Sequence, residues 1–453
     1  MSAARRIGIL AGGGTLPREI ADAVAARAMP VHIVAIDGEA NADFGPYPVT
    51  RVNWGGIGRM VSTFKQTGCT DLIIIGSVTR PDLATIKPDL GFARALGTVL
   101  RLVLAGGDDS VLRGVIAFFE RQGFRVVSAA QLAPELVIGE GHFVSGAGGP
   151  SLLEDARIGF DMIAALGRFD IGQAAVVSDG RLEALEGAEG TDRMLERIAV
   201  QRRKQGSSNS THSGVLVKRT KPAQDARIDL PVIGPQTVAL ALDCGLVGIA
   251  VEAGHVLAAE RGEMVARAQD SGLSIIGIGL AGGGGGDSLP YTRSSLSGSL
   301  LRTIKARRAA RTIAMRPLGH HKIPLSLFPD AKRGLDVMAA LEPISRTRAV
   351  VVVRAHVLAV ETGEGVTSAL GRAVGLRQWG DRRLRRRAGV AVIDAGRDCT
   401  PELIGLLEQG HFAGMVVKLR RFTAGVPADT ISAADKAGVF VAGLAVDGES
   451  GHG

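Results

Sequence analysis

The stretch Ile7-Gly8-Ile9-Leu10-Ala11-Gly12-Gly13-Gly14-Thr15-Leu16-Pro17 joins a short apolar run to three glycines and a proline. The apolar run predicts a buried strand over residues 7–10, and a helical pattern over residues 17–28 follows the glycines. Further strands are predicted at 31–36, 72–75 and 126–127, and further helices at 57–67 and 110–122. This alternation predicts an α/β fold with a Rossmann-like parallel sheet covered by helices on both faces.

The glycine loop after the first predicted strand is a candidate binding site, because ligands of such sheets bind beyond the carboxyl ends of the strands. Ala11, Gly12, Gly13 and Gly14 let the backbone approach a ligand, and the helix that follows offers free N–H groups to a phosphate. Asp37, after the second strand, is a candidate partner for a ribose. The spacing departs from GxGxxG, so a nucleotide or diphosphate contact and a mere tight turn both remain open.

Two more loops lie at predicted element ends. Arg80 follows the strand 72–75, where it either binds a phosphate through its guanidinium fork or belongs to a surface turn closed by Pro81. Asp109 precedes the helix 110–122, where it serves either as the N-cap or as a metal or ribose contact.

Composition limits the class of protein. The 453 residues suffice for two or three domains, and 46% hydrophobic residues allow packed cores. Aromatic residues make up only 4% of the chain, which argues against a stacking platform for single-stranded nucleic acid. The 3 cysteines form no zinc or disulfide pattern, so a reducing cytoplasm is the expected compartment. Neither a signal peptide nor a membrane-spanning run is recognised, and we expect a soluble or at most peripheral protein.

Basic charge is concentrated in one segment. The formal net charge is +8, and residues 281–390 hold 20 Lys+Arg against 7 Asp+Glu, which leaves the rest of the chain acidic. A nucleic-acid site would have to lie in that segment, since no basic stripe recurs elsewhere. We predict no nucleic-acid partner.

The chain contains an internal repeat. Residues 155–217, the first repeat segment, match residues 330–392, the second repeat segment, without a gap at a separation of 175. Further matches, such as Gly248 with Gly414, are separated by 166 residues, so the second copy lacks nine residues between 218 and 245. Because internal repeats decide architecture, we predict domains at 1–145, 150–280 and 330–446, with a linker at 281–329.

The segment that the second copy shortens is rich in reactive side chains. Asp225 and Asp229 are flanked by Lys218, Lys221 and Arg227 in a loop marked by prolines. This set suits phosphoryl chemistry, because carboxylates hold a divalent ion or position water while cations neutralise phosphate oxygens. The alternative is a solvated, salt-bridged surface turn.

A second element shows the same loss. Thr191 and Asp192 in the first copy become Val366 and Thr367 in the second. We infer that the second copy keeps the fold and has lost the chemistry. Within both copies short α/β units are predicted: strands at 174–177, 249–252, 273–278 and 350–353, and helices at 237–243 and 263–270.

Several motifs in order resemble a known family, the UDP-2,3-diacylglucosamine pyrophosphatases of lipid A synthesis. The resemblance covers residues 5–279 and rests on GILAGGGTLP, GSVTRPD, GGDDSVLR, DIGQAAVVSDG, EGTD, GVLVKRTKPAQDARIDLPVIGPQTV and GLVGIAVEAG. It implies magnesium-dependent hydrolysis of UDP-2,3-diacylglucosamine to UMP and 2,3-diacylglucosamine 1-phosphate (lipid X). It also implies an N-terminal Rossmann-like domain and a C-terminal domain that binds the substrate with it.

The resemblance also implies roles for individual residues. The essential aspartate of the C-terminal domain is carried to Asp229, which would position water or hold Mg²⁺, with Asp225 as second choice and Lys218 beside them. The expected substrate-binding residues are Ala11, Gly12, Gly13, Gly14, Arg80, Asp109, Gln173, Thr191, Asp192, Lys221 and Gln224.

This chain departs from the family by extending beyond Gly279. The basic segment 300–308 is either a solvated linker or a stretch that lies on the anionic inner-membrane surface, where the lipid-linked UDP-sugar resides. His320 and His321 are not a metal signal by themselves. The second copy is expected to close over the site, to replace a partner subunit, to regulate, or to have no role, and a homodimer remains open.

Two other functions are weighed. An NAD(P)-dependent oxidoreductase would use the glycine loop and Asp37, but no hydride-transfer pair is evident. A non-catalytic regulatory or binding protein would explain the altered second copy, whereas the intact polar residues of the first copy count against it.

Overall fold

The computed structural model describes residues 5–78, 108–146, 148–204, 213–221, 225, 227, 230–280, 315–377, 387–394, 398–419 and 425–445, with the backbone alone at 108–111. The chain divides into two compact units. Unit 1 comprises residues 1–146, 223–239 and 251–289, and unit 2 comprises residues 147–222, 240–250 and 290–453.

The N-terminal part of unit 1 is a five-stranded sheet in the order β3-β2-β1-β4-β5, with all neighbours parallel. The strands are β1 (Ile7–Ala11), β2 (Val31–Ile36), β3 (Val49–Val52), β4 (Asp71–Ile75) and β5 (Arg125–Val126). The parallel α/β fold predicted from the sequence is confirmed. The strand β3 was not predicted, because its four residues are mostly exposed and carry no apolar run.

Helices cover both faces of this sheet. They are α1 (Leu16–Ala26), α2 (Ile57–Gln66), α3 (Asp108–Arg121) and α4 (Ala129–Leu132). One face packs Ile20 of α1 against Ile9, and the other packs Phe64 of α2 against Leu72 and Phe119. Because successive residues of a strand point to opposite faces, a fully apolar strand such as β1 is buried on both sides.

The rest of unit 1 comes from later parts of the chain. Its strands β6 (Gly141–Val144) and β13 (Ser274–Ile278) pair antiparallel, and β10 (Val232–Ile233) pairs parallel with β12 (Leu257–Ala258). The helix α8 (Arg261–Ser271) ends at Gly272, whose φ of +70° is typical of a glycine C-cap. Two elements run from one unit into the other, α7 (Pro235–Asp243) and β11 (Gly248–Glu252).

Unit 2 begins with the first repeat segment. Its elements are α5 (Pro150–Leu166), β7 (Ala174–Ser178), β8 (Arg181–Leu185), α6 (Thr191–Lys204) and β9 (Val215–Lys218). The strand β7 pairs antiparallel with both β8 and β9. Asp155 on α5 accepts hydrogen bonds from the backbone N–H groups of Asp179 and Gly180, at 3.1 and 2.7 Å, and so holds the tight turn between β7 and β8.

The second repeat segment, together with residues before and after it, forms a six-stranded sheet in the order β14-β19-β18-β17-β15-β16. These strands are β14 (Met315–Pro317), β15 (Ala349–Val353), β16 (His356–Val360), β17 (Val390–Ile393), β18 (Gly414–Leu419) and β19 (Phe440–Ala445). The helices are α9 (Phe328–Leu341), α10 (Val366–Gly375), α11 (Pro401–Gln409) and α12 (Ala428–Ala437). Residues 315–317, assigned to the linker by the sequence, thus belong to the sheet.

Local contacts recur at a separation of 175 residues. Asp330 accepts from the N–H groups of Arg354 and Ala355, as Asp155 does from Asp179 and Gly180. The register of the β15–β16 pair shifts between Val351 and Val352, which matches the shift between Val176 and Val177. The two segments therefore share strand pairing, turn and turn-binding carboxylate.

Three short 3₁₀ turns complete the described elements: Pro134–Leu136, Gly167–Phe169 and Leu325–Leu327. Among the described residues, no helix is long and apolar enough to cross a membrane.

Candidate functional site

The glycine loop lies at the switch point of the five-stranded sheet. The strand order places β1 beside β4, and the chain leaves these two strands in opposite lateral directions, which is where open α/β sheets bind ligands. The loop after β1 is hydrogen-bonded to the loop after β4: Gly13 N–H donates to Ser77 O at 2.7 Å, and Ser77 N–H donates back to Gly13 O at 2.9 Å. This cross-link fixes the loop against the sheet edge.

Packing explains two of the three glycines. A Cβ atom at Gly12 would lie 2.4 Å from Ser77 O, and one at Gly13 would lie 2.8 Å from Ser77 Oγ. Gly14 has a φ of +86° and faces open space, and its N–H donates to Asn41 Oδ1 at 2.9 Å. Of the predicted set, Ala11 is buried in β1 and Gly14 is the exposed member.

The partial positive charge at the start of helix α1 is already compensated by a carboxylate. Thr15 Oγ1 donates to Glu19 Oε1 at 2.7 Å, and both Glu19 oxygens accept from the N–H of Glu260 at 3.1 Å. An acid in the first turn provides the negative charge that a helix N-terminus favours. The first turn of α1 therefore already carries a negative charge, held by Thr15 and by the backbone of Glu260.

Two predicted site residues of unit 2 are joined by Glu186, which the motifs of the sequence did not single out. Glu186 Oε2 accepts from the N–H of Gln173 at 2.6 Å, and its Oε1 accepts from Thr191 Oγ1 at 3.0 Å. The N–H of Arg219, next to Lys218, donates to Gln173 O at 3.0 Å. Gln173 and Thr191 thus share one buried carboxylate, and the chain at Lys218–Arg219 is hydrogen-bonded to Gln173.

The repeat does single out Glu186, but as a residue that stabilises the fold. Its counterpart Glu361 is retained in the second repeat segment and accepts from the N–H of Arg348, at 3.0 Å, where Glu186 accepts from Gln173. A residue retained in both copies with the same contact holds the backbone. In the first copy the same carboxylate also fixes the Thr191 hydroxyl.

Lys218 ends β9 and is only 5% exposed. Burying an ammonium group is costly unless its charge is compensated, and the second copy has the apolar Ile393 at this position. Lys221 lies three residues further, where its Nζ donates to Asp170 Oδ1 at 2.7 Å. The loop therefore begins with two cations, one buried and one half-buried.

Asp225 and Arg227 lie in the middle of the loop and belong to unit 1. Arg227 binds Asp225 through its Nε and Nη2, the shortest contact being 2.8 Å, and its Nη1 donates to Glu120 Oε1 at 2.8 Å. The hydrogen bonds from Arg227 hold the pKa of Asp225 below its usual value. The ion pair fixes the positions of both side chains within unit 1.

The structure places the other predicted residues as follows. Asp192 is exposed in the first turn of α6, where a negative charge also stabilises the helix. Asp109 is the second residue of α3, within its first turn rather than before it. Arg80, Gln224 and Asp229 lie outside the described residues. Leu230, next to Asp229, packs against the core that α1 forms with the sheet.

The described residues do not by themselves form a magnesium site. No cluster of three or more His, Cys, Asp or Glu side chains that could hold a metal ion occurs among them. Both oxygens of Asp225 accept hydrogen bonds from Arg227. His320 and His321 are both bound to Asp435.

Comparisons with known proteins agree with this arrangement. The family model of the LpxI N-terminal domain matches residues 6–136, and that of the LpxI C-terminal domain matches residues 139–276. The UDP-2,3-diacylglucosamine pyrophosphatase LpxI of Caulobacter vibrioides is 35% identical over 276 residues, which make up 60% of this chain and 98% of that relative. Because the relative is covered almost completely and both domain models match in order, the chain belongs to the LpxI family.

Proposed function

We propose that the chain hydrolyses the diphosphate of UDP-2,3-diacylglucosamine to UMP and 2,3-diacylglucosamine 1-phosphate (lipid X) in lipid A biosynthesis. The observation that carries the proposal is the match, over 98% of its length, to a relative named for acting on this substrate. The matched region contains the glycine loop and the loop from Lys218 to Leu230.

The reaction adds water across a P–O–P bridge. A water oxygen forms a bond to one phosphorus, the bond from that phosphorus to the bridging oxygen breaks, and the bridging oxygen leaves with the other phosphate. Negative charge builds on the departing oxygen, and fixed cations stabilise it. Lys218 and Lys221 supply that charge in unit 2.

The remaining roles are assigned by position. In unit 1, the exposed turn at Gly14 receives the sugar or base of the nucleotide, and Asp225 keeps Arg227 in place. Asp229 orients or deprotonates the attacking water. In unit 2, Thr191 and Asp192 form one wall of the site, and the Thr191 hydroxyl is oriented by Glu186. Orientation of this kind lowers the barrier by positioning the reactants beforehand.

Magnesium dependence is part of the proposal, with Asp229 as the expected ligand. A bound Mg²⁺ would supply positive charge to the phosphate oxygens. We also propose that the protein works in the cytoplasm and contacts the inner-membrane surface peripherally through its basic segment, which lies outside the described residues.

The experiment is to incubate the intact chain with UDP-2,3-diacylglucosamine and to measure UMP and lipid X, with and without Mg²⁺. We expect equal amounts of both products and none from UDP-glucose, which lacks the acyl chains. Turnover of the unacylated sugar at the same rate, or no UMP from folded protein, would contradict the proposal. Family membership does not favour the NAD(P)-dependent oxidoreductase considered above.

A further inference from the structure

Four charged side chains form a buried cluster between the two repeat segments, within unit 2. The carboxylates are 4% and 6% exposed and the guanidinium groups 18% and 11% exposed, and the members of this charge cluster are Glu189, Glu364, Arg197 and Arg372. Each arginine contacts both carboxylates. Arg197 lies 3.3 Å from Glu189 and 2.5 Å from Glu364, and Arg372 lies 3.3 Å from Glu189 and also binds Glu364.

The cluster is symmetric in sequence as well as in space. Glu364 and Arg372 are the counterparts, at a separation of 175, of Glu189 and Arg197. Each contact between the segments therefore has a mirror contact in which the two copies exchange roles. This reciprocity is the property of an isologous interface, in which one surface patch binds a second copy of itself.

Approaches to backbone carbonyl oxygens next to the cluster show the same reciprocity. Thr362 Oγ1 donates to the carbonyl O of Glu183 at 3.1 Å. At the mirror position, a Cβ atom built on Gly187 would lie 3.3 Å from the carbonyl O of Leu358. The helices α5 and α9, which are counterparts, also contact each other, and Arg333 on α9 donates to Phe169 O at 2.8 Å.

We propose that the second repeat segment is a built-in partner of the first, and that one chain folds as an internal pseudo-dimer through a self-complementary face centred on the charge cluster. The proposal explains which residues the second copy keeps. Positions such as Thr191 and Lys218 have become apolar, whereas both charges of the first segment's share of the cluster have charged counterparts in the second. Buried charges are not needed for stability, since apolar groups of similar size serve equally well, so their retention points to recognition between the copies.

The contact between the two segments also involves residues next to the candidate site. Glu189 lies two residues before Thr191, where α6 begins, and Arg372 of the second segment holds its carboxylate. The second segment thus fixes the loop that leads into the wall formed by Thr191 and Asp192. This consequence rests on the proposed function, whereas the pairing itself does not.

Charge exchange in the full-length chain tests the pairing. Exchanging the charges of the first segment, Glu189→Arg with Arg197→Glu, keeps the contact within that segment attractive and makes both contacts between segments repulsive. Exchanging the second segment, Glu364→Arg with Arg372→Glu, does the same. The fourfold variant restores attraction at every contact.

The readout is hydrogen exchange of β8 in the first segment and of β16 in the second. We expect each double variant to accelerate exchange at least about tenfold in both segments, including the one that carries no substitution, because paired elements open together. The fourfold variant should return to within about threefold of the native chain. Acceleration confined to the substituted segment, or a fourfold variant no better than the doubles, would overturn the proposal.

Milder variants cover the case in which the double variants do not fold. Glu189→Gln and Glu364→Gln should each accelerate exchange in both segments to a similar extent, since each carboxylate contacts both arginines. The combined variant should show less than the product of the two effects, because both changes disrupt one interface. Independent effects, each limited to its own segment, would overturn the proposal equally. None of these readouts depends on catalysis, so failure of the proposed function would leave them unaffected.

Discussion

Lys218 and Ile393 occupy the same position in two strands that are paired in the same way, and both are buried. Lys218 ends β9, which pairs with β7, and Ile393 ends β17, which pairs with β15. The fold therefore accepts an apolar side chain where the first copy buries an ammonium group. The first copy thus carries a buried cation at a position where the fold itself does not require one.

Replacing Lys218 should separate stability from activity. We expect Lys218→Ile to keep or raise the free energy of unfolding and to lower kcat for UMP release about a hundredfold, the scale of losing one group that stabilises developing charge. Urea unfolding and UMP assays measure the two effects. The control Lys332→Met removes an exposed lysine of α9 and should change neither. A large loss of stability without loss of turnover would assign Lys218 to the fold.

Glu186 and Glu361 offer a matched pair for a positioning role. Glu186 and Glu361 each accept a hydrogen bond from a backbone N–H, and substitution by Gln places an NH₂ donor where one of the carboxylate oxygens was. Glu186→Gln and Glu361→Gln should therefore each cost about 1–3 kcal/mol of unfolding free energy. Only Glu186→Gln should lower kcat, because only Glu186 orients a hydroxyl of the site. Equal kcat losses in the two variants would refute this difference.

The Asp225–Arg227 pair predicts a pH dependence. Because Arg227 lowers the pKa of Asp225 in the folded state, the pair stabilises the protein above the ordinary carboxyl value of 3.8, and this contribution is lost as pH falls through the lowered pKa. The stability difference between the native chain and Asp225→Asn should be constant from about pH 5 to 8 and shrink below about pH 4. Urea unfolding at a series of pH values measures it. A difference that grows as pH falls would contradict the pairing.

In the two turns held by Asp155 and Asp330, removing the methyl group of Ala355 and adding one at Gly180 should have opposite effects on stability. Gly180 has a φ of +73° and Ala355 a φ of +64°, a left-handed region that disfavours a Cβ atom. We expect Ala355→Gly to raise and Gly180→Ala to lower the free energy of unfolding, each by about 1 kcal/mol. Among the described residues, a Cβ at Gly180 would contact Ile158 alone, at 3.9 Å. The stability change of Gly180→Ala therefore reports backbone strain and not steric crowding. Changes of the same sign would contradict this explanation.

The sequence predicted several strands whose side chains are uniformly buried, although β9 and β17, which are equally buried, were not predicted. Residues 31–36 were placed correctly as β2, and residues 174–177 fall within β7, because apolar runs bounded by turns mark buried strands. The hairpin strands β8 and β16 and the edge strand β14 were not predicted. In them polar and apolar residues mix, and their pairing is determined by turns and by neighbouring strands.

The candidate site was harder to predict for a physical reason. Motif order identified the loop from Lys218 onward, but the link from Gln173 through Glu186 to Thr191 depends on side chains that approach across two strands and a helix start. The sequence also suggested a phosphate site at the start of α1, and only the structure shows that the Glu19 carboxylate there is bound to Thr15 and to the backbone of Glu260. Contacts of this kind are set by tertiary packing.

The central claim is that the first copy carries the hydrolytic chemistry and the second does not. The most direct test is UMP release from UDP-2,3-diacylglucosamine, with Mg²⁺ present, by the full-length variants Asp229→Ala and Asp398→Ala. Asp398 lies in the shortened loop of the second copy, where it contacts Arg348. We predict that Asp229→Ala abolishes release and that Asp398→Ala leaves it unchanged. Full activity of folded Asp229→Ala, or loss of activity in folded Asp398→Ala, would contradict the account.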